Sequence, residues 1–385
     1  MNLGKYVFAQ ITDFLPKWIF EDIVKKYEGN KNIRHFSCWN QLLVMLFGQL
    51  SNRESLRDVI TVIEAHYNKR YHLGFGTHIS RSNLAKANEK RTSKIFEEFA
   101  YHLIGVARKK LINNDFEIKG KVYAFDSTTI DLCLSVFWWA KFRKQKGGIK
   151  LHTLFDITTQ IPTFIHITNA AVNDMNAMDA IPYETDAYYV FDRGYVDFKR
   201  LYKITEFESV FVIRAKINLQ FQIVKNLPVN EKNGVLSDTI ITLSGFYQKK
   251  DYPKTLRKVV FYDSEQNRTF VFLTNNFELS AEQIAFLYKN RWKIELFFKW
   301  IKQHLKIKSF WGTSENAVRI QIYTAMIAYC LVVIVAHDLK IERSTYEILQ
   351  ILTVSLLDKT PVNQLFNQFE YQNVKEHNYN ILIFN

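Results

Sequence analysis

After the first 120 residues the hydrophobic pattern changes from one typical of helices to one typical of strands. The order of the predicted elements after this point constrains the fold most. KVYAFD is a short apolar run that ends in Asp126, and AYYVFD is a second run that ends in Asp192. Strand-like runs (IKLHTLFD, TFIHIT) and a helical stretch from Asp174 lie between them, and a helix follows from about Asp197. A run of strands, a helix, a strand and a helix predicts a mixed α/β sheet with helices packed on it.

The two aspartates at the ends of buried strands are candidate functional residues. A carboxylate in this position is held rigidly by the sheet while its head faces a cleft. Two such groups close together repel each other unless a cation neutralises them. Taken singly, an aspartate such as Asp126 or Asp192 is more often only the polar cap of a strand.

The segment 288–302, YKNRWKIELFFKWIK, carries a further pattern. It contains no Gly or Pro and predicts a helix that starts near Ser280. At about 100° per residue, Ile294, Phe297, Phe298, Ile301 and Leu305 form its core side. Four other side chains fall within roughly 60° of one another on its surface: Tyr288, Arg291, Glu295 and Lys302.

This helix is strongly basic around a single acid. Between Tyr288 and Lys308 there are seven Lys or Arg residues and one carboxylate, Glu295. A basic amphipathic helix packed on a core is one interpretation. The other is that Glu295 binds a divalent cation while its basic neighbours bind phosphates.

The spacing Tyr288-x2-Arg291-x3-Glu295-x6-Lys302 resembles the Y-R-E-K signature of bacterial insertion-sequence transposases of the insertion-sequence-four family, which use a D-D-E triad. The resemblance covers roughly residues 120–340 and is specific at YAFDST, YVFDRGY and this helix. It implies a ribonuclease-H-like fold and a catalytic, metal-binding triad of Asp126, Asp192 and Glu295. We expect four neighbouring aspartates to be structural: Asp131, Asp156, Asp174 and Asp179.

The chemistry implied by the resemblance is DNA transposition with two divalent ions, Mg²⁺ or Mn²⁺, in each active site. Asp126 would bridge the ions, and Asp192 and Glu295 would each complete one ion's ligands. The same site would hydrolyse the transposon end, form a hairpin with the freed 3′-hydroxyl, reopen the hairpin and join the end to target DNA. Transesterification needs no nucleotide cofactor. The partners would be double-stranded DNA (terminal inverted repeats and target) and a second copy of the chain, as a homodimer in the synaptic complex.

Basic residues supply the candidate DNA contacts. Tyr288, Arg291 and Lys302 would hold phosphates at the transposon end. Lys299 and three further residues are expected in the same cleft: Arg193, Lys150 and His152. In the helical N-terminal part, the helix that begins near Ser80 or Ser82 is polar and basic, like the recognition helix of a helix-turn-helix. Its candidates are Arg81, Asn83, Lys86, Asn88 and Lys90, although a solvated helix face on a small bundle explains the same pattern.

The segment between the second aspartate and the signature helix is strand-like and polar. It corresponds to the β-rich insertion that stabilises a flipped base in the resembling family. That role often uses a tryptophan, which this chain lacks between Arg193 and Arg291, so the stacking candidates are Phe221, Phe246, Tyr247 and Tyr252. The expected organisation is a helical DNA-binding domain (1–115), a first part of the catalytic core (116–214), the β-rich insertion (215–268), the second part of the core (269–340) and a helical tail (341–385).

Composition agrees with a DNA-acting globular protein. The net charge of +13 predicts a polyanionic partner, and 48% hydrophobic residues with few Gly and Pro predict a packed core. We expect Cys38, Cys133 and Cys330 to be reduced and buried, without a zinc site, in a cytoplasmic, nucleoid-associated protein. The uncharged run 320–336 is short for a membrane span and predicts a buried core helix.

Three other functions would also account for the positive net charge. A DNA-binding protein derived from a transposase would no longer need the carboxylates, and all three are present. A nuclease of the same fold would only hydrolyse, whereas the Y-R-E-K face favours binding of transposon ends. A membrane-surface protein would concentrate its basic residues on one lipid-facing helix, and here they lie beside the acids instead.

Overall fold

The computed structural model describes residues 4–76, 79–112, 116–133, 135, 137–143, 146–229, 233–304 and 310–366. The N-terminal part is helical and contains α1 (Val7–Thr12), α2 (Lys17–Lys26), α3 (Cys38–Leu50), α4 (Leu56–Ala65), α5 (Arg81–Lys90) and α6 (Lys94–Lys110). The strands and helices of the centre are β1 (Lys121–Leu132), β2 (Lys141–Arg143), β3 (Lys146–Asp156), β4 (Ile161–Asn169), β5 (Ala187–Phe191), α7 (Phe198–Glu206) and β6 (Val210–Arg214).

The remaining elements follow in the order β7 (Phe221–Asn226), β8 (Val235–Leu243), α8 (Phe246–Asp251), β9 (Leu256–Asp263), β10 (Arg268–Thr274), α9 (Ala281–Asn290), α10 (Trp292–His304), α11 (Glu315–Asp338), α12 (Thr345–Ser355) and α13 (Val362–Leu365). Short 3₁₀ helices lie at Tyr67–Lys69, Trp138–Ala140, Asp174–Ala180 and Arg193–Tyr195.

All the strands of the described chain belong to one mixed sheet. Its central part runs β4-β3-β1-β5-β6: β3 is antiparallel to β4 and β1, while β1, β5 and β6 are parallel. Three antiparallel strands followed by two parallel ones, with helices on both faces, are a ribonuclease-H-like fold, as the sequence predicts. The sheet continues through β10, β9, β8 and β7, all antiparallel, so the β-rich insertion extends the sheet instead of forming a separate one.

Alternation along β1 assigns its side chains to two different hydrophobic cores. Val122, Ala124 and Ile130 belong to the larger core, which contains the apolar side of α10 and most of α11. Tyr123 and Phe125 belong to the smaller core, between the sheet and α7. Because Asp126 is even-numbered, its side chain leaves the sheet on the face that carries α10.

The length of β1 differs from the prediction. We expected the first strand to end with its apolar run at Asp126. A single strand runs from Lys121 to Leu132, because β3 pairs with it continuously, from Tyr123↔Asp156 to Leu132↔Gly147. Tertiary pairing therefore outweighs local propensity here.

The apolar helix α11 is the centre of the larger core. It is the one described helix long and apolar enough to cross a membrane, and 94% of its most apolar window is buried inside the protein. Side chains of α3, α5 and α6 lie in the same core. The N-terminal helices and one face of the central sheet therefore share one core, and the boundaries proposed for the five domains remain a prediction.

Asn316, in the first turn of α11, ties α5 to this core. Its amide donates to the main-chain oxygens of Asn88 (2.9 Å) and Arg91 (2.6 Å), which lie at the end of α5. Asn88 itself is buried and accepts a hydrogen bond from Gln41 (2.7 Å), so it is not available for the DNA contact that we expected of it. The cysteines also differ from expectation, since Cys38 and Cys330 are buried but Cys133 is exposed.

Candidate active site

The two aspartates lie side by side because their strands are parallel neighbours. Phe125 on β1 pairs with Phe191 on β5, and each is followed directly by an aspartate, Asp126 or Asp192. β5 ends at Phe191 whereas β1 continues, so one edge of β1 is open from Asp126 onwards. This open edge at the carboxyl end of a parallel pair forms a cleft, as in other α/β sheets.

The predicted signature helix is divided in two at Arg291. Tyr288 lies in the last turn of α9, and Glu295 lies in the first turn of α10. Ile294, Phe297, Phe298 and Ile301 are buried, which confirms the predicted core side, and Leu305 lies outside the described residues.

Three of the four signature residues contact β1 or an aspartate at the strand ends, and the fourth, Glu295, is linked to Asp126 through Arg291. Tyr288 donates its hydroxyl to Asp192 Oδ1 (3.2 Å). Arg291 donates from Nη1 to Asp126 Oδ2 (3.0 Å) and from Nη2 to Glu295 Oε1 (2.5 Å). Lys302 Nζ donates to the main-chain oxygen of Thr129 on β1 (2.9 Å). The signature residues thus gather the triad (Asp126, Asp192 and Glu295): Arg291 joins Asp126 to Glu295, and Tyr288 holds Asp192.

Burial and charge oppose each other at this centre. Burial raises the pKa of Asp126, the positive charge of Arg291 counteracts that rise, and Glu295 and Asp192 add to it. Burial by itself lowers the pKa of Arg291, but Tyr288, Asp126 and Glu295 more than compensate and raise it above the usual value. Burial is also the main cause that raises the pKa of Tyr288 to about 12, so its hydroxyl is protonated and donates to Asp192. Asp126 and Glu295 therefore share the positive charge of Arg291, whereas Asp192 accepts the hydroxyl of Tyr288.

The donor chemistry of the triad fits divalent ions. Carboxylate oxygens are the ligands that Mg²⁺ and Mn²⁺ prefer. Among the described residues, however, no three acidic, His or Cys side chains are arranged closely enough to hold an ion as they stand. Arg291 lies between Asp126 and Glu295, and only 13% of its side chain is exposed. Bound ions would therefore have to replace the guanidinium.

A cleft of about 830 Å³ opens beside the triad, between α9–α10 and the strands of the insertion. Asp192, Glu295, Arg214, Arg268 and Trp292 line it, among others. Trp292 is 57% exposed and directly follows Arg291. Arg214, Arg268 and Trp292 were not predicted from the sequence, although Trp292 could have been found because it lies off the apolar side of α10.

The aromatic residues that we expected to stack a base lie elsewhere. Tyr252 is buried in the smaller core, and Phe221 packs against that core. Phe246 and Tyr247 are well exposed on α8, and neither lines the cleft beside the triad. Exposed aromatic surface next to the triad comes instead from Trp292.

Two of the predicted DNA contacts are inside the protein. His152 has no exposed side-chain surface, and its Nε2 lies 2.9 Å from Thr168 Oγ1. Lys150 is 13% exposed and donates to the main-chain oxygen of Val172 (2.9 Å). They do share a face of β3, as the alternation predicts, but this face is the one opposite α10. In this conformation neither side chain reaches DNA in the cleft.

The other basic candidates are at the surface. Arg193 and Lys299 are exposed near the triad, on the 3₁₀ helix after Asp192 and on α10. Arg81, Lys86 and Lys90 are exposed on α5, whose N-cap is Ser80. The loop from α4 to α5 is long, so these helices do not form the short turn of a helix-turn-helix. Their DNA contacts remain predictions.

Comparison with known proteins identifies the family. Residues 117–331 match the model of the transposase DDE domain, and residues 3–76 match a domain of unknown function, DUF4372. A Sinorhizobium fredii protein, y4zB, described as a transposase, is 36% identical over 69% of this chain and 74% of its own length. A Geobacillus stearothermophilus protein described as a transposase for the insertion sequence element IS5377 is 33% identical over 54% of each chain.

A third relative and one solved structure are more distant. A Synechocystis protein described as a transposase for IS4SA is 28% identical over 66% of this chain and 72% of its own. The cryo-EM structure of the piggyBac transposase synaptic complex with hairpin DNA has a TM-score of 0.47 and 10% identity, covering 92% of this chain and 80% of that one, and this likeness is too remote to carry an argument. The family match, which includes Asp126, Asp192 and Glu295, spans more than half of the chain. The chain therefore belongs to the DDE-domain transposases of bacterial insertion sequences.

Proposed function

We propose that this transposase cuts DNA at the inverted-repeat ends of its own insertion sequence and joins those ends to target DNA through a hairpin intermediate. The observation that carries the proposal is the convergence of the triad from β1, the end of β5 and α10, where Arg291 binds Asp126 and Glu295 and Tyr288 binds Asp192. Three neighbouring carboxylates, two of which share one cation, are an arrangement suited to holding divalent ions beside a phosphodiester.

The triad residues would hold two ions, with Asp126 as the shared ligand. Bound Mg²⁺ or Mn²⁺ supplies the positive charge that activates a water or a 3′-hydroxyl and stabilises the leaving oxygen. Tyr288 fixes the orientation of Asp192 through its hydroxyl. Lys302 and Lys299 extend positive charge along α10, where the phosphates of a transposon end would lie.

Arg291 has two roles in this proposal. Without DNA it neutralises Asp126 and Glu295, and when a DNA end and ions arrive its bidentate fork transfers to a phosphate. The cleft lined by Arg214, Arg268 and Trp292 would receive the nucleotides next to the cut, with Trp292 stacking on a base.

Replacing Arg291 with Met is expected to strengthen Mn²⁺ binding to the DNA-free protein by about tenfold, because Asp126 and Glu295 lose their competing cation. Affinity for end DNA should fall by about tenfold or more, because a charge-assisted contact is lost. Electron paramagnetic resonance during a manganese titration measures the Mn²⁺ affinity, and a DNA-binding titration measures the affinity for end DNA. The control is Arg319→Met, which breaks an exposed pair with Glu315. Unchanged Mn²⁺ affinity in the Arg291 variant would contradict the dual role.

The partners in the proposal are duplex DNA and a second copy of the chain, since two ends must react together. Arg81, Lys86 and Lys90 on α5, with Arg193, would add contacts outside the cleft. Sizing the complex with end DNA tests the assembly, because a strictly one-to-one complex is incompatible with paired ends.

Incubating the protein with end DNA and Mg²⁺, with and without chelator, tests the function. Nicks at the repeat boundary followed by hairpin ends are expected only with the metal. Nicks without hairpins or joined products would indicate a nuclease that only hydrolyses. Binding without any cleavage would indicate a DNA-binding protein derived from a transposase.

A further inference from the structure

Asp174 lies behind the triad, although the sequence suggested an ordinary structural aspartate. It begins the 3₁₀ helix Asp174–Ala180, which packs in the smaller core, on the face of the sheet opposite α10. Its Oδ1 accepts a hydrogen bond from Ser127 Oγ (2.7 Å) and lies 3.1 Å from Lys150 Nζ. The Nδ1 atom of His152 lies 3.7 Å from the same oxygen.

Ser127 connects this cluster to the triad. It directly follows Asp126, and its main-chain N–H donates to Asp126 Oδ1 (2.8 Å). The two side chains leave β1 on opposite faces, as alternation requires. Ser127 is therefore held from behind by Asp174 through its hydroxyl, while it holds Asp126 in front through its N–H.

The contact between Ser127 and Asp174 lies where β1 has lost its neighbour β5, so it helps to fix the strand at Asp126. β5 stops at Phe191, so β1 has no parallel partner at Asp126 and Ser127 on that edge. Fewer main-chain hydrogen bonds restrain the strand where the carboxylate must be placed most accurately. Tyr195, in the 3₁₀ helix after β5, places its hydroxyl 3.5 Å from Asp126 Oδ1, which is a weaker restraint on that carboxylate.

The contact is not explained by helix capping. The N-cap of the 3₁₀ helix is Asn173, whose side chain accepts the N–H of Met175, so the Asp174 carboxylate is not needed for that purpose. Lys150 balances its charge, which keeps a fourth carboxylate from adding to the repulsion within the triad. Burial lowers the pKa of His152 to about 4, so this ring is neutral at physiological pH and serves as packing beside the pair.

We propose that Asp174 is a positioning residue that, supported by Lys150, fixes the Asp126 carboxylate for metal binding through the hydroxyl of Ser127. The proposal rests on the proposed function of Asp126 as a metal ligand. Groups that hold a metal ligand in place commonly contribute about 10–100-fold to metal affinity or activity.

A double-mutant cycle tests this proposal. Asp174→Asn and Ser127→Ala should each weaken Mn²⁺ binding to the protein–DNA complex by about tenfold, measured by electron paramagnetic resonance, and raise the Mn²⁺ concentration for half-maximal cleavage in parallel. The affinity for end DNA should stay within about twofold. In the Ser127→Ala background, Asp174→Asn should have little further effect, because the residue acts through that hydroxyl.

Asp179→Asn is the matched control. Asp179 lies in the same 3₁₀ helix, but its carboxylate pairs with Arg200 Nη2 (2.7 Å). Its replacement should leave Mn²⁺ affinity unchanged. Thermal melting of each variant separates a local effect from loss of the fold, and Ser127→Ala probes the same contact without removing a charge.

Two results would overturn the proposal. In one, Asp174→Asn leaves Mn²⁺ affinity unchanged; in the other, its effect is the same with Ser127 and with Ala at that position. A wild-type protein that binds Mn²⁺ on end DNA without cutting it would contradict the proposed function and leave the cycle measurable. A wild-type protein that binds no Mn²⁺ would contradict both.

Discussion

Glu295→Gln is expected to lower the rate of strand cleavage by at least about 10³-fold while end DNA remains bound. The amide keeps the size of the side chain and removes the charge that holds an ion. Glu295 is 42% exposed in the cleft and is paired with Arg291, so the change should not disturb the buried core. Single-turnover cleavage of end DNA and a binding titration measure the two quantities separately.

Glu315→Gln is the control for this substitution. Glu315 lies in the first turn of α11, is 53% exposed and pairs with Arg319 four residues later, so its loss should change neither activity nor binding appreciably. Equal cleavage by the Glu295 variant and the wild type would exclude Glu295 from the chemistry. A parallel loss of DNA binding would assign it to recognition instead.

Arg257→Ala is expected to destabilise the protein by about 3–5 kcal/mol, because it leaves a buried carboxylate unpaired. Arg257 and Asp238 are 5% and 4% exposed, and the guanidinium donates to both carboxylate oxygens (2.9 and 2.7 Å). It also donates to the main-chain oxygen of Leu279 (2.5 Å), just before α9 begins. The pair therefore connects the β-rich insertion to the helix that carries Tyr288. Urea denaturation measures the loss.

The exposed pair Arg319–Glu315 is the control for the buried pair, since Arg319→Ala should lower the free energy of unfolding by no more than about 0.5 kcal/mol. A double replacement, Arg257→Met with Asp238→Leu, should recover much of the lost stability because no unpaired charge remains. If Arg257→Ala is no more destabilising than Arg319→Ala, the insertion is not held by this pair.

The sequence predicts the convergence of the triad well, for a physical reason. Apolar strands that each end in an aspartate become neighbours when they are parallel, and the pairing of Phe125 with Phe191 aligns Asp126 with Asp192. The helical spacing of Tyr288, Arg291 and Glu295 then directs three side chains to the same edge. Local periodicity and strand order contain this information.

What the sequence does not predict depends on contacts between distant segments. β1 continues through its polar residues because β3 pairs with it, and Asp174 becomes relevant only because its helix packs behind Ser127. His152 is buried because side chains of the neighbouring strands, Phe125 and Thr168, flank it and Asp174 of the 3₁₀ helix lies beside it. Similarly, the sequence predicts Arg291 only as a DNA contact, because its pairing with Asp126 depends on a residue far away in the chain. The structure shows that it pairs with both Asp126 and Glu295.

Exchange of a triad aspartate for cysteine tests the central claim, that the carboxylates bind the catalytic ions. Thiolate is a softer ligand than carboxylate and suits Mg²⁺ poorly, while Mn²⁺ accepts sulfur more readily. Asp192 is the best position, since its carboxylate contacts Tyr288 and forms no ion pair with a basic side chain among the described residues. Cleavage of end DNA by Asp192→Cys should be absent with Mg²⁺ and restored at least in part by Mn²⁺. Equal cleavage with both ions would contradict the account, because Asp192 would then not be a metal ligand.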